Sequence, residues 1–159
     1  MKVYFLRHGI AFERSEWKGA DAERPLTGDG IGKLRNTAET LAHLDLGLDA
    51  IISSPLVRAK QTAEIVAQAL GLKARLSEDK RLAPGFNNDQ LHVMLREHSR
   101  ANAVMLVGHE PDLSETISAL IGGGRIVMKK GGLALVDLPD AQSRRGELLW
   151  LLTPKWLAS

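Results

Sequence analysis

Two periods of apolar residues organise the chain. Lys2-Val3-Tyr4-Phe5-Leu6 and Ala103-Val104-Met105-Leu106-Val107 are short, continuous and rich in β-branched or aromatic residues, as strands buried on both faces are. Asp49-Ala50-Ile51-Ile52-Ser53 repeats the pattern in brief. Between these runs the apolar residues recur every three or four positions. Ile31, Leu34, Ala38 and Leu41 predict a helix with Thr27 as its cap. Ala59, Ala63, Val66 and Leu70 predict a second, opened by Ser54 as cap with Pro55 at the first helical position and ended by Gly71. Leu91, Met94 and Leu95 mark a third over 88–98, and Leu113, Ile117, Leu120 and Ile121 a fourth from Pro111 to the stop at Gly122-Gly123-Gly124. Residues 73–78 read as a short strand. Two more, 133–138 and 147–152, close the chain around a polar hairpin loop, 139–146. This alternation predicts an α/β fold: a three-layer α/β/α sandwich with a mostly parallel central sheet and mixed pairing at its C-terminal edge.

Composition narrows the function without naming it. A chain of 159 residues is expected to be one domain, 1–159. Lys and Arg exceed Asp and Glu by only two, 21 against 19, so neither a nucleic acid nor a membrane is an expected partner. The absence of cysteine removes disulfides, thiolate metal sites and every cysteine-nucleophile mechanism. The N-terminus lacks the layout of a signal peptide, since a strand pattern begins at residue 2 and a charged motif interrupts it. No apolar stretch approaches the ~20 residues of a membrane span. A cytoplasmic protein is the expectation.

The chemistry sits where strands end. Arg7-His8-Gly9 follows the first strand, Ser53-Ser54-Pro55-Leu56-Val57-Arg58 the second, and Gly108-His109 the strong central one. Parallel neighbours bring their carboxyl ends to one rim, where open α/β sheets place ligands. Two guanidiniums and two imidazoles would meet there, with Arg58 in the first turn of a helix whose positive end adds to its charge. Arginine binds phosphoryl oxygens through paired donors and keeps its proton. There is no Walker-A glycine loop, so side chains and helix ends would hold the anion. No closely spaced histidine–carboxylate set suggests a metal, and no cofactor is expected. An imidazole can then serve as the nucleophile. It acts only when neutral, so one nitrogen of His8 is expected to donate to a backbone carbonyl at the tight Gly9 turn and leave the other free. The long polar loop 10–24 follows directly and reads as a lid.

Four motifs carry a resemblance across essentially the whole chain: Arg7-His8-Gly9; Arg24-Pro25-Leu26-Thr27-Gly28; Ser53-Ser54-Pro55 with Arg58-Ala59 and Gln61-Thr62; and Val107-Gly108-His109-Glu110-Pro111. Together they resemble the histidine phosphatase (phosphoglycerate mutase-like) superfamily, and within it the small phosphohistidine phosphatases of the SixA type. The resemblance implies that His8 is the nucleophile that becomes phosphorylated, that Arg7 and Arg58 clamp the phosphoryl oxygens, and that His109 completes the pocket. It implies a phosphate or substrate contact for Arg24.

One departure shapes the expected substrate. Many phosphoester-cleaving relatives carry a carboxylic acid after a strand-end leucine, as proton donor to the leaving alcohol. Here that stretch reads Arg81-Leu82-Ala83-Pro84-Gly85, and the nearby Glu78 and Asp79 precede the leucine. An alkoxide resembles hydroxide, whose parent acid has a pKa of ~15.7, and leaves badly without a proton. An imidazole, with a conjugate acid near ~6.5, departs with far less help. The expected activity is therefore a metal-independent phosphohistidine phosphatase acting through a shallow pocket on a phosphorylated signalling or phosphotransfer protein. The alternatives are a small-molecule phosphomonoesterase with Glu78 or Asp79 displaced into the acid role, and a non-catalytic phosphoprotein-binding module. The remaining candidates get structural readings. His43, His92 and His98 are placed on solvent faces of helices, Lys129-Lys130 in a solvated turn, and Trp150 and Trp156 in packing roles, with Trp17 in the long loop as the exception.

Overall fold

The computed structural model describes residues 1–157, and its centre is one six-stranded sheet. The strands are β1 (Lys2–Arg7), β2 (Ala50–Ser53), β3 (Leu76–Glu78), β4 (Ala103–Gly108), β5 (Leu133–Asp137) and β6 (Glu147–Leu152). They lie in the order β3-β2-β4-β1-β5-β6. The four from β3 to β1 are parallel, and β5 and β6 complete the edge antiparallel. The expected α/β sandwich with a mostly parallel sheet is what forms.

Strand alternation explains the layers. Along β1, Tyr4 and Leu6 face one core with Ile51, Met105 and Val107. Val3 and Phe5 face a second core with Ile52, Val104 and Leu106. Helices α1 (Gly28–Ala42) and α2 (Val57–Ala69) cover the first through Leu34, Ala38, Leu41, Ala59, Ala63 and Val66. Helices α3 (Asn88–Glu97) and α4 (Asp112–Leu120) cover the second through Leu91, Met94, Leu95, Leu113, Ile117 and Leu120. Each large apolar side chain so buried contributes about 1.5–3 kcal/mol relative to exposure, which fixes the strand ends in space. A Cβ added at Gly30 would run into the Ile10 carbonyl oxygen, so glycine lets α1 close against the segment after His8.

Local chemistry departs from the sequence reading in several places. Thr27 does cap α1 as expected, accepting the Gly30 N–H at 2.9 Å. Ser54 does not cap α2, which begins at Val57. Ser54 Oγ instead accepts the Leu56 N–H at 3.2 Å and holds the entry extended. Only Leu76–Glu78 of the 73–78 segment is strand, because Lys73–Arg75 forms a 3-10 turn first. The cap of α3 is Asn87, in a reciprocal box with Gln90. His92 is 2 % exposed rather than solvent-facing, since the buried stripe of α3 is wide enough to include the residue beside Leu91. Trp150 packs at 5.9 Å from the Tyr4 ring, whereas Trp156 is 71 % exposed. It lies in a short helix α5 (Pro154–Leu157) beyond the last strand, where no element was expected.

Candidate active site

The register of the sheet brings the three strand-end motifs level. Arg7 pairs with Gly108, and Ser53 with Val107. The ladder continues one step past the strands, with His8 N–H donating to Gly108 O at 3.1 Å and Ser54 N–H to Val107 O at 2.9 Å. His8 and His109 therefore emerge side by side. Their ring centroids are 5.4 Å apart, with planes tilted by 53°.

His8 is held as the sequence suggested. Its Nδ1 lies 2.7 Å from Gly9 O, an acceptor only, so Nδ1 carries the proton and Nε2 keeps its lone pair. Burial pulls its pKa down to about 3; the Gly9 bond resists, and the charges of Arg58 and Arg7 add to the fall. Gly9 is fixed in turn, because its N–H donates to Thr62 Oγ1 at 3.0 Å while that hydroxyl donates to Arg58 O at 2.7 Å. His109 is also neutral at ordinary pH, drawn to about 4 by burial and then by Arg58. Its Nε2 lies 2.7 Å from Ser54 Oγ.

The arginines flank this pair. Arg7 Nη1 donates to Met128 O at 2.8 Å. Arg58, 4 % exposed, uses its outer edge on one residue, with Nη1 to Asp21 O at 2.9 Å and Nη2 to Asp21 Oδ2 at 3.2 Å. What these groups leave unused is more informative. Among the described residues six buried side-chain polar atoms have no partner, and three of them are Arg7 Nε, Arg58 Nε and His109 Nδ1. Buried polar nitrogens without partners are rare in folded proteins, and three of them beside one imidazole make this a candidate place for an anion.

Arg24 stands one step away. Its Nε donates to Asp21 Oδ1 at 3.0 Å and its Nη1 to Phe12 O at 2.5 Å, so it joins the cluster through Asp21. Asp21 is the residue that sequence reasoning missed. It sits in a 3-10 turn (Asp21–Glu23) inside the loop 10–24 and bridges Arg58 and Arg24. Burial alone would push its carboxyl up, but the Arg24 hydrogen bond and the Arg58 charge outweigh that and hold it below the usual range. No spacing rule singles out an aspartate in an irregular loop. Its position three residues before Arg24 was the one available signal.

The carboxylates considered as displaced acids are engaged elsewhere. Glu78 pairs with Lys60 at 2.6 Å, and Asp79 accepts from Arg81 Nε at 2.9 Å. Arg81 holds Asp79 below the usual carboxylate range, so it stays ionised. Lys130 lies 3.6 Å from Glu13 of the long loop, which gives that half of the lysine turn an ion-pair partner. Among the described residues no group of three or more His, Asp or Glu is placed to hold a metal.

Comparison with known proteins fits this geometry. The family profile of the histidine phosphatase superfamily (branch 1) matches residues 3–83. An uncharacterized protein of Picosynechococcus is 38% identical over 99% of both chains. The phosphohistidine phosphatase SixA of Escherichia coli is 27% identical over 97% of this chain and 94% of its own. A solved structure of the protein histidine phosphatase SixA complexed with tungstate superposes with a TM-score of 0.88, 26% identity and 99% coverage of both chains. The chain belongs to the histidine phosphatase superfamily, and SixA phosphohistidine phosphatases are among its most similar relatives.

Proposed function

We propose that the chain is a phosphohistidine phosphatase, a single catalytic domain that removes the phosphoryl group from a phosphorylated histidine of another protein. His8 Nε2 attacks phosphorus in line with the departing nitrogen. The substrate P–N bond breaks as the new one forms, and the leaving ring, protonated on its other nitrogen, departs with the electron pair as neutral imidazole. Arg7 and Arg58 hold the phosphoryl oxygens while charge redistributes, and His109 adds a hydrogen bond. Arg24, tied to the same cluster through Asp21, meets the phosphate or its carrier at the mouth. Water then attacks phospho-His8, inorganic phosphate leaves and the imidazole is restored.

The single observation behind this reading is the trio of orphan nitrogens, Arg7 Nε, Arg58 Nε and His109 Nδ1, beside an imidazole kept neutral. The likeness to SixA supports the same reading, and tungstate, the anion in that complex, is a tetrahedral oxyanion like phosphate. The ion pairs of Glu78 and Asp79 support a phosphoramidate over an alkyl ester, because neither carboxylate is placed to protonate an alkoxide. His8 is more deeply buried than a shallow docking site for a protein surface would suggest, at 7 % exposed. No helix among the described residues is long and apolar enough to cross a membrane.

The test is brief reaction with a phosphoramidate donor, acid quench and mapping of the label. Acid-labile phosphate on His8, lost in His8→Ala, is the expected result, with turnover unaffected by chelator. Faster cleavage of alkyl phosphates than of phosphoimidazole would transfer the assignment to a small-molecule phosphomonoesterase. Binding without turnover would make it a phosphoprotein-binding module.

A further inference from the structure

Ser54 lies between two partners that constrain its single proton. The residue is fully buried, and its Oγ accepts the Leu56 N–H at 3.2 Å while lying 2.7 Å from His109 Nε2. A hydroxyl has one proton to give and two lone pairs to accept with. If Nε2 carried the ring proton, Oγ would accept both bonds, and its own hydrogen would be left in the core with no acceptor among the described residues. That is an expensive arrangement for a buried polar group. If Oγ donates to Nε2 instead, the proton and both contacts are used.

We propose that Ser54 is a positioning residue that fixes His109 as the Nδ1–H tautomer, so that its second nitrogen presents a proton, not a lone pair, to the phosphoryl oxygen. Nδ1 is the ring atom left buried and unpartnered. A phosphoryl oxygen only accepts, so a bare Nδ1 would repel it and an N–H attracts it. In this state Arg7 Nε, Arg58 Nε and His109 Nδ1 form three donors of one kind. An imidazolium would also place a proton on Nε2 and orphan the serine hydrogen. The same contact thus opposes charging of His109, in agreement with the downward pull of burial and Arg58. The orienting partner of a catalytic histidine is often a carboxylate, which favours the charged ring. A serine hydroxyl favours the uncharged one. Its place in Ser53-Ser54-Pro55 looks like a helix start, which hides the role.

The significance of the tautomer rests on the phosphatase reading, but its existence does not. A long-range 1H–15N correlation spectrum of the uniformly labelled protein at neutral pH reads it directly, with the His109 signals assigned as those missing from His109→Gln. The expected pattern is a protonated Nδ1 and a lone-pair Nε2 in the wild-type chain. The reverse pattern, or an imidazolium, overturns the proposal with no Ser54 variant required. In Ser54→Ala the ring is expected to move toward the Nε2–H form, and kcat/KM on a phosphoramidate to fall about tenfold, as for a weakened oxyanion donor. Retention of Nδ1–H in that variant would also overturn it. If the wild-type tautomer is as expected but no phosphoramidate is turned over, the functional assignment falls and the role of Ser54 in setting the ring stands.

Discussion

As the proposed nucleophile, His8 has to combine two properties that work against each other: a free lone pair and the company of two guanidinium groups. The structure reconciles them by excluding the proton. Burial, with the neighbouring charges adding to it, draws the imidazole from 6.5 to about 3, against the pull of the Gly9 carbonyl. This has a measurable consequence for stability. An unfolded His8 takes up a proton as the pH falls through ~6.5, whereas the folded one stays neutral until about 3. Between those values the unfolded state binds more protons, so acidification erodes stability. The contribution is fully present above the unfolded pKa and is lost progressively as pH falls toward the folded one. Urea midpoints measured at pH 7.5 and pH 5 should therefore separate, and they should separate less in His8→Asn, where His109 and His92 still act this way but His8 no longer does. Equal acid sensitivity in the two proteins would mean that His8 titrates in the native state as it does in peptides.

The strands, and the residues at their ends, were legible because their signals are local. Four or five apolar residues followed by Arg-His-Gly state both a buried strand and what it carries to the rim. Ser54 was misread for the same reason. Ser-Pro fits the local grammar of a helix start, but its hydroxyl answers to His109, 55 residues away. His92 went wrong because three apolar neighbours underestimate how wide a stripe α3 buries. Asp21 was illegible because its meaning lies in contacts with Arg58, 37 residues on, made from a loop with no period to read. The segment now makes a specific claim. Asp21 holds Arg58 through both backbone and carboxylate, so Asp21→Ala removes the charged half and leaves the carbonyl contact. The carboxylate is 28% exposed, so water screens it and its loss should cost only about 1 kcal/mol, a roughly fivefold rise in KM with a smaller change in kcat. A fall in KM would instead identify Asp21 as a competitor that the phosphoryl group must displace from the guanidiniums.

No part of the proposed anion cradle exists outside the folded molecule. Its members come from the ends of β1 and β4 and the start of α2, brought level by the parallel ladders β2-β4 and β4-β1. The native state accordingly carries buried N–H donors without acceptors, a destabilising arrangement kept where function needs it. An oxyanion that fills the cradle relieves the arrangement and binds only the folded chain. At one hundred times its dissociation constant, such an anion should stabilise the protein by about 2.7 kcal/mol. For a chain of this length that corresponds to a rise of roughly 5–10 °C in Tm. Tungstate or phosphate should therefore raise the melting temperature of the wild-type protein in a saturable way. In Arg58→Met, which keeps the apolar stem but removes the guanidinium, the rise should vanish. If the variant gains as much as the wild type, the anion is binding exposed lysines and arginines, and the three orphan nitrogens are not its site.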